Sequence, residues 1–279
     1  MNASLSIDYV TGTYFCFGCA KTGNALDLVK EVEKLDDLEA CKKLIKIMKS
    51  KKTKAIKIKR AQSRKSGNAN ALIISMDYFY GLKSINWYED HEDIIDVRTY
   101  MQKRGFKKST LINCDAKITY NKSYPIVFPM YDNSHFKGWV CRTTNKIIEK
   151  KRKYLYNEGF SRRDTLVGKY KNCKTVMLVE GYMDKLKMNQ FGIKHVCAIL
   201  GWKVTQQQIE KLKEQGVTTI ISALDMDSCG RKGTEYLKNF FDVVNFQYPP
   251  GVKDAGDMTY KMFVKANEKT KKLLRRKSK

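Results

Sequence analysis

The sequence predicts an α/β protein: an open parallel sheet toward the carboxy terminus, an α+β subdomain before it, and a small partial unit at the amino end. Three observations carry this. From Lys174 onward, short apolar runs at 176–179, 196–200, 219–224 and 243–246 alternate with helical segments, the rhythm of a parallel α/β sheet. Residues 124–131 and 138–142 flank the turn formers Asp132-Asn133-Ser134, which predicts an antiparallel pair. Near the start, Leu5, Ile7 and Tyr9 alternate, turn at Thr11-Gly12-Thr13 and resume at Tyr14, which predicts a hairpin.

In chain order, Asn24 is placed to cap a helix carrying Ala25, Leu28, Val29 and Val32, and Asp36 or Asp37 a second one carrying Leu38, Cys41, Leu44 and Ile45. Residues 42–65 then hold twelve basic side chains and no acidic one, a linker by composition or a phosphate-contacting strip. Helical, aromatic-rich sequence follows from Ala71, with a further helix near 94–103 that stops at Gly105. A basic segment, 146–171, leads into the parallel sheet. The expected units are 1–48, a linker at 49–70, 71–172, 173–263 and a basic tail at 264–279. That tail is either a solvated terminus or a nucleic-acid contact.

Lys and Arg number 54 against 29 Asp and Glu, a formal charge of +25, which favours a polyanionic partner, nucleic acid ahead of an anionic membrane surface. No apolar run approaches 18 residues, and the first residues lack a signal-peptide pattern, so a cytoplasmic protein with no membrane role is expected. Eight cysteines, only two of them in a Cys-x-x-Cys spacing, predict reduced thiols and no disulfide framework.

The acidic residues are placed differently. One expected strand runs into Glu180-Gly181-Tyr182-Met183-Asp184, another into Asp225-Met226-Asp227, and Asp254 and Asp257 follow the last. Reactive groups in a parallel sheet gather at the carboxyl ends of its strands. Alternation along an extended backbone would aim Asp225 and Asp227 the same way. Such carboxylates would raise one another's pKa, so the cluster is stable as anions mainly around divalent cations. Oxygen-only ligands suit Mg²⁺ or Mn²⁺, and a second ion at Asp254 and Asp257 would give the two-metal arrangement of phosphoryl transfer. Residues 174–261 hold twelve basic and ten acidic side chains, so the surplus charge lies outside this segment. Gly230 reads as a tight entry to the next helix, and Arg231 and Lys232 in its first turn suit a nearby anion.

Glu180-Gly181-Tyr182-Met183-Asp184, Leu200-Gly201, Asp225-x-Asp227-x-x-Gly230 and Asp254-x-x-Asp257 resemble the Toprim domain of bacterial-type primases, type IA and II topoisomerases and some nucleases. Upstream, Arg104-Gly105-Phe106, residues 127–132, 138–142 and 153–157 are similar to the polymerase core of bacterial and phage primases of the DnaG type. Residues 14–19 and Gly23-Asn24-Ala25 look like the second half of the primase zinc ribbon, a DNA-binding unit.

The resemblance implies a DNA primase that makes short RNA primers on single-stranded DNA from ribonucleoside triphosphates. Glu180, Asp225 and Asp227 would hold the catalytic Mg²⁺ or Mn²⁺, with Asp184, Asp254 and Asp257 completing the acidic site. Arg142 and Lys153 match positions beside nucleotide and template, and Arg162 or Arg163 stands near another. Met226 replaces a Gly frequent in the family. The family's helicase-binding domain has no counterpart here, although a replicative helicase is an implied partner. Cys16 and Cys19 are half of a four-ligand zinc site and are expected to bind Zn²⁺ only if the other half is supplied. The Lys- and Asn-rich composition suggests a phage source, which would place the chain in the host cytoplasm.

Two rivals share these residues: a Toprim nuclease or topoisomerase-like enzyme, and a non-catalytic nucleic-acid-binding accessory. Cys114, Cys141, Cys173, Cys197 and Cys229 read most simply as buried small hydrophobes. Trp87, Trp139 and Trp202 read as core, and His135 and His195 have no partner at ligand spacing.

Overall fold

The computed structural model describes residues 5–8, 13–16, 22–36, 39–40, 42–43, 76, 78–85, 92–119 and 121–277. The chain divides into two compact units, Met1–Ser66 and Gly67–Lys279.

In the first unit, β1 (Leu5–Asp8) and β2 (Thr13–Cys16) form the expected hairpin, with Leu5 opposite Cys16. A third antiparallel strand, β3 (Thr22–Asn24), joins β2 and leads directly into α1 (Ala25–Glu33). The Asp36 side chain accepts from Glu39 N at 2.8 Å, the bond of a helix cap. The Cys16 side chain, all of Cys19 and the basic strip at 44–65 lie outside the described residues.

The second unit is built on one sheet. Before the parallel region come β4 (Lys83–Ser84), α2 (Glu92–Lys103), α3 (Lys108–Asn113), β5 (Lys117–Ile118), the hairpin β6 (Ile126–Asp132) and β7 (His135–Arg142), α4 (Lys146–Lys151), β8 (Tyr154–Tyr156) and β9 (Val167–Gly168). The parallel region follows: β10 (Thr175–Val179), α5 (Tyr182–Gln190), β11 (Val196–Ala198), α6 (Gln206–Glu214), β12 (Thr219–Ser222), α7 (Ser228–Leu237), β13 (Asp242–Asn245) and α8 (Tyr260–Lys277).

Strand order among the described residues is β13-β12-β10-β11-β9-β6-β5-β4, with β7 on β6 and β8 on β7. The antiparallel hairpin and the parallel strands therefore belong to one mixed sheet, joined by β9. This strand pairs antiparallel to β11 and meets β6 where Asp132 faces Gly168. A Cβ at Gly168 would stand 2.4 Å from Val196 O, so only glycine lets the two halves approach this closely.

Residues of β10 alternate between two cores. Val176 and Leu178 pack with Ile209, Leu212 and Leu237 on one face, while Met177 and Val179 pack with Leu186, Phe246 and Phe263 on the other. Because both faces are covered, the strand reads as an unbroken apolar run. Each such fully buried side chain contributes about 1.5–3 kcal/mol.

The expected tail is corrected. Residues 260–277 form one helix whose Phe263, Ala266 and Thr270 are buried, and Thr270 Oγ1 accepts from Gln247 N at 3.1 Å. Among the described residues, no helix is long and apolar enough to cross a membrane.

Candidate active site

The carboxyl ends of β10 and β12 place the acids. Glu180 follows the last residue of β10, and its backbone oxygen accepts from Leu200 N at 2.9 Å, fixing the turn after β11 against it. Leu200 takes a left-handed φ of 58° to make this bend. One carboxylate oxygen of Glu180 accepts from Asp225 N at 3.3 Å, joining the first acidic segment to the second. Met226 N donates to Lys253 O at 2.8 Å, joining the second to the third. Gly256 completes the ring: a Cβ there would stand 3.0 Å from Asp254 Oδ1 and 3.4 Å from Asp184 Oδ1.

Each acid also has a local task. Asp184, in the first turn of α5, accepts from Gly181 N at 3.2 Å. Asp227 caps α7 through Gly230 N at 2.9 Å, and Asp254 caps a short 3-10 turn through Asp257 N at 3.1 Å. These are the N-terminal positions where a carboxylate is favoured. β12 ends at Ser222, so Asp225 and Asp227 lie beyond the strand, and the alternation expected from extended backbone does not set their directions. Gly230 is required by a close approach, since a Cβ would stand 2.0 Å from Asp225 O. Arg231 turns its guanidinium back onto Met226 O at 2.8 Å, which accounts for a cation in this first turn.

Burial first, then Asp225, Asp227 and Asp184, push the Glu180 carboxyl up to about 7. Burial, then Asp254 and Asp225, raise Asp184 to about 7 against the opposing charge of Arg104. Asp225 rises to about 6 through burial, Asp254 and Asp227, with Lys153 opposing. The six acids therefore share one electrostatic neighbourhood. Among the described residues, no three His, Cys, Asp or Glu side chains already stand at the spacing of a single ion's ligands. Like charges repel, and Glu180, Asp184, Asp227 and Asp254 are instead turned onto backbone N–H groups. Partly buried, oxygen-only donors whose carboxylates outnumber the nearby Arg104 and Lys153 charges fit a hard divalent cation.

The expected basic residues separate into two groups. Lys153 is exposed, and its charge opposes the rise of the Asp225 pKa. Arg142 is only 2% exposed; it pairs with Glu149, donates through Nε and Nη2 to Tyr100 Oη at 2.9 and 2.8 Å, and lies 4.8 Å over the Tyr154 ring. Its charge is spent inside the protein. Arg162 is exposed over the Tyr156 ring at 5.6 Å, and Arg163 is exposed.

Arg104 is the group the sequence did not single out for the site. It opposes the Asp184 charge, its Nη2 would lie 3.3 Å from a Cβ on Gly256, and its Nη1 is 3.8 Å from Glu149. It appears in the sequence only within the Arg-Gly-Phe motif, and no spacing rule links it to acids eighty residues later.

Cys141 and Cys197 are buried as expected, while Cys114 and Cys173 are half-buried and Cys229 is exposed. His195 does have a neighbour, its Nδ1 lying 3.1 Å from Cys173 Sγ. Trp202 is exposed, and Trp139 packs on Tyr78 with ring centroids 5.0 Å apart.

A Toprim-like family model matches residues 177–259, and a CHC2 zinc finger model matches residues 1–60. The chain is 28% identical to the DNA primase of Buchnera aphidicola over 280 residues, covering 82% of this chain and 46% of that one. It is 26% identical to the DNA primase of Clostridium acetobutylicum, covering 92% and 50%. Over most of its length this chain is similar to bacterial DNA primases.

Among solved structures, the zinc-binding and RNA polymerase domains of Aquifex aeolicus primase match with a TM-score of 0.57 at 19% identity, over 96% of this chain and 74% of that one. A DnaG primase catalytic domain bound to single-stranded DNA matches with a TM-score of 0.55 at 19% identity, over 74% and 80%. These structures share the DnaG-type fold. The chain spans about half the length of the curated primases it matches.

Proposed function

We propose that the chain is a DNA primase that joins ribonucleotides into short RNA primers on single-stranded DNA. The observation that carries this reading is the bonding of three acidic segments to one another at the carboxyl ends of β10 and β12, in a fold shared with solved primase cores.

In this reading Glu180, Asp225 and Asp227 hold Mg²⁺ or Mn²⁺, and Asp184, Asp254 and Asp257 support them. When bound, the ions lower the pKa of the attacking 3′ hydroxyl and neutralise charge on the departing pyrophosphate. The rest is positioning by the chain itself. Lys153 and Arg104, the cations felt by the acids, face the phosphates of the incoming ribonucleoside triphosphate and the template. Arg142 acts from the interior by fixing Glu149 and Tyr154 beneath that surface. Arg162 and Arg163, both exposed, extend the basic lining toward the template. Residues 173–277, helix α8 included, then form the metal-binding domain and 71–172 the surface that receives nucleotide and template.

Residues 1–48 form the DNA-binding ribbon, in which Cys16 and Cys19 take Zn²⁺ when a further pair of ligands is supplied. A replicative helicase is the proposed partner. Primer synthesis on a single-stranded template with ribonucleotides and Mg²⁺ tests the reading. The wild type yields short RNA, and Glu180→Gln yields at least a hundredfold less. Nicking of plasmid DNA without RNA synthesis, or equal yields from the two proteins, would refute it.

A further inference from the structure

A cleft of about 700 Å³ lies beside the acidic site, sharing Arg104 and Gly256 with it. Its walls are the turn after α2, the outer face of α5 and the segment leading into α8. The volume lies within the roughly 300–1,000 Å³ of small-molecule sites.

Lys187 lines this cleft while being only 2% exposed. Its Nζ donates to Arg104 O at 2.5 Å and lies 4.4 Å from the Phe106 ring centroid. Among the described residues, no carboxylate stands within ion-pair distance of it. An ammonium has three N–H donors, and a buried cation without a paired anion is costly. Burial and then the neighbouring Arg104 charge lower its pKa, and Asp184, Asp254 and Asp257 oppose them only from beyond contact. Gly105, with φ +70°, lets the backbone pass close to this ammonium, because a Cβ there would sit 3.1 Å from Nζ.

The wall around the ammonium is rigid. Gln190 donates through Nε2 to Gly105 O at 2.9 Å, and its Oε1 accepts from Lys107 N and Thr110 Oγ1, both at 2.7 Å. Lys103 and Lys107 stand exposed on the lining, against which Asp257 is the one acid. On the same lining, Tyr260 is 63% exposed, with its ring braced 5.9 Å from Phe191 and 6.4 Å from Phe263. A buried cation lacking an anion and a braced, exposed aromatic ring together match the two ends of a nucleotide.

We propose that this cleft binds a nucleotide unit apart from the acidic site, its phosphate on Lys187 and Lys107 and its base stacked on Tyr260. The same chemistry is offered by a free nucleotide and by one residue of a single strand. The proposal does not depend on primer synthesis.

Binding is measured with the full chain in EDTA, so that phosphate held through metal at the acids is silent. The probes are a fluorescent ATP analogue and a labelled, 5′-phosphorylated oligothymidylate, followed by anisotropy. Tyr260→Ala weakens binding about tenfold and Tyr260→Phe restores it. Lys107→Ala lowers the slope of log affinity against log salt for the oligonucleotide by about one. A Tyr260→Ala effect on both probes identifies the free nucleotide as an occupant, and an effect on the oligonucleotide alone identifies a strand. The proposal is overturned if the wild type binds neither probe, or if Tyr260→Ala stays within twofold of it for both. Tyr260 and Lys107 are exposed, and unchanged circular dichroism confirms that the variants are folded.

Discussion

Binding of Mg²⁺ to the acidic site should expel protons, and the structure sets how many. Glu180 and Asp184 are pushed up to about 7 and Asp225 to about 6, first by burial and then by neighbouring carboxylates. The cluster titrates as one unit, so near pH 6.5 the three groups together carry roughly two protons, and at pH 8 almost none. A divalent ion takes the carboxylates as anions and must displace whatever protons they hold. Log affinity should therefore rise by about two per pH unit near pH 6 and flatten by pH 8. Calorimetric titration in buffers of different ionisation enthalpy reads the released protons directly from the slope of enthalpy against buffer enthalpy. A slope of zero at pH 6.5, with affinity unchanged between pH 6 and 8, would refute the shared neighbourhood assigned to these acids.

Asp225→Asn should abolish primer synthesis yet raise the melting temperature in EDTA at pH 8. A carboxyl whose folded pKa is raised contributes stability below its unfolded pKa and loses it as pH rises through about 6, so the gain over wild type should fade by pH 4, as thermal melts across that range will show. Gly230→Ala must displace the Asp225 backbone to relieve a 2.0 Å approach and should cost about 1–3 kcal/mol in urea denaturation. Glu149→Ala leaves the buried Arg142 charge without its carboxylate and should destabilise by about 3 kcal/mol or more, whereas Glu149→Gln, which keeps an acceptor, should cost less by the same measurement.

The parallel strands were legible because burial on both faces writes an apolar run into the sequence, and Glu180 and Asp225 were legible because they follow such runs directly, whereas Asp254 and Asp257 lie well beyond the end of β13. Strands β8 and β9 were not. They are three and two residues long, inside a segment whose lysines and arginines dominate its composition, and β9 is betrayed only by Gly168. Helix α8 was hidden by the same effect, since its buried stripe of Phe263, Ala266 and Thr270 is sparse among eight basic residues at 265–279. The burial of Arg142 runs against the usual exposure of arginine, and only its partners Tyr100, Glu149 and Tyr154 explain it. Arg104 reaches the acids by tertiary approach alone, which no local pattern encodes.

The most direct test of the account is anomalous scattering from crystals grown with Mn²⁺. The account predicts ion density bonded to carboxylate oxygens of Glu180, Asp225 and Asp227, with the Glu180 and Asp227 side chains swung off the backbone N–H groups. Manganese bound only at other places on the chain, with Glu180 and Asp227 left on their backbone partners, would contradict it.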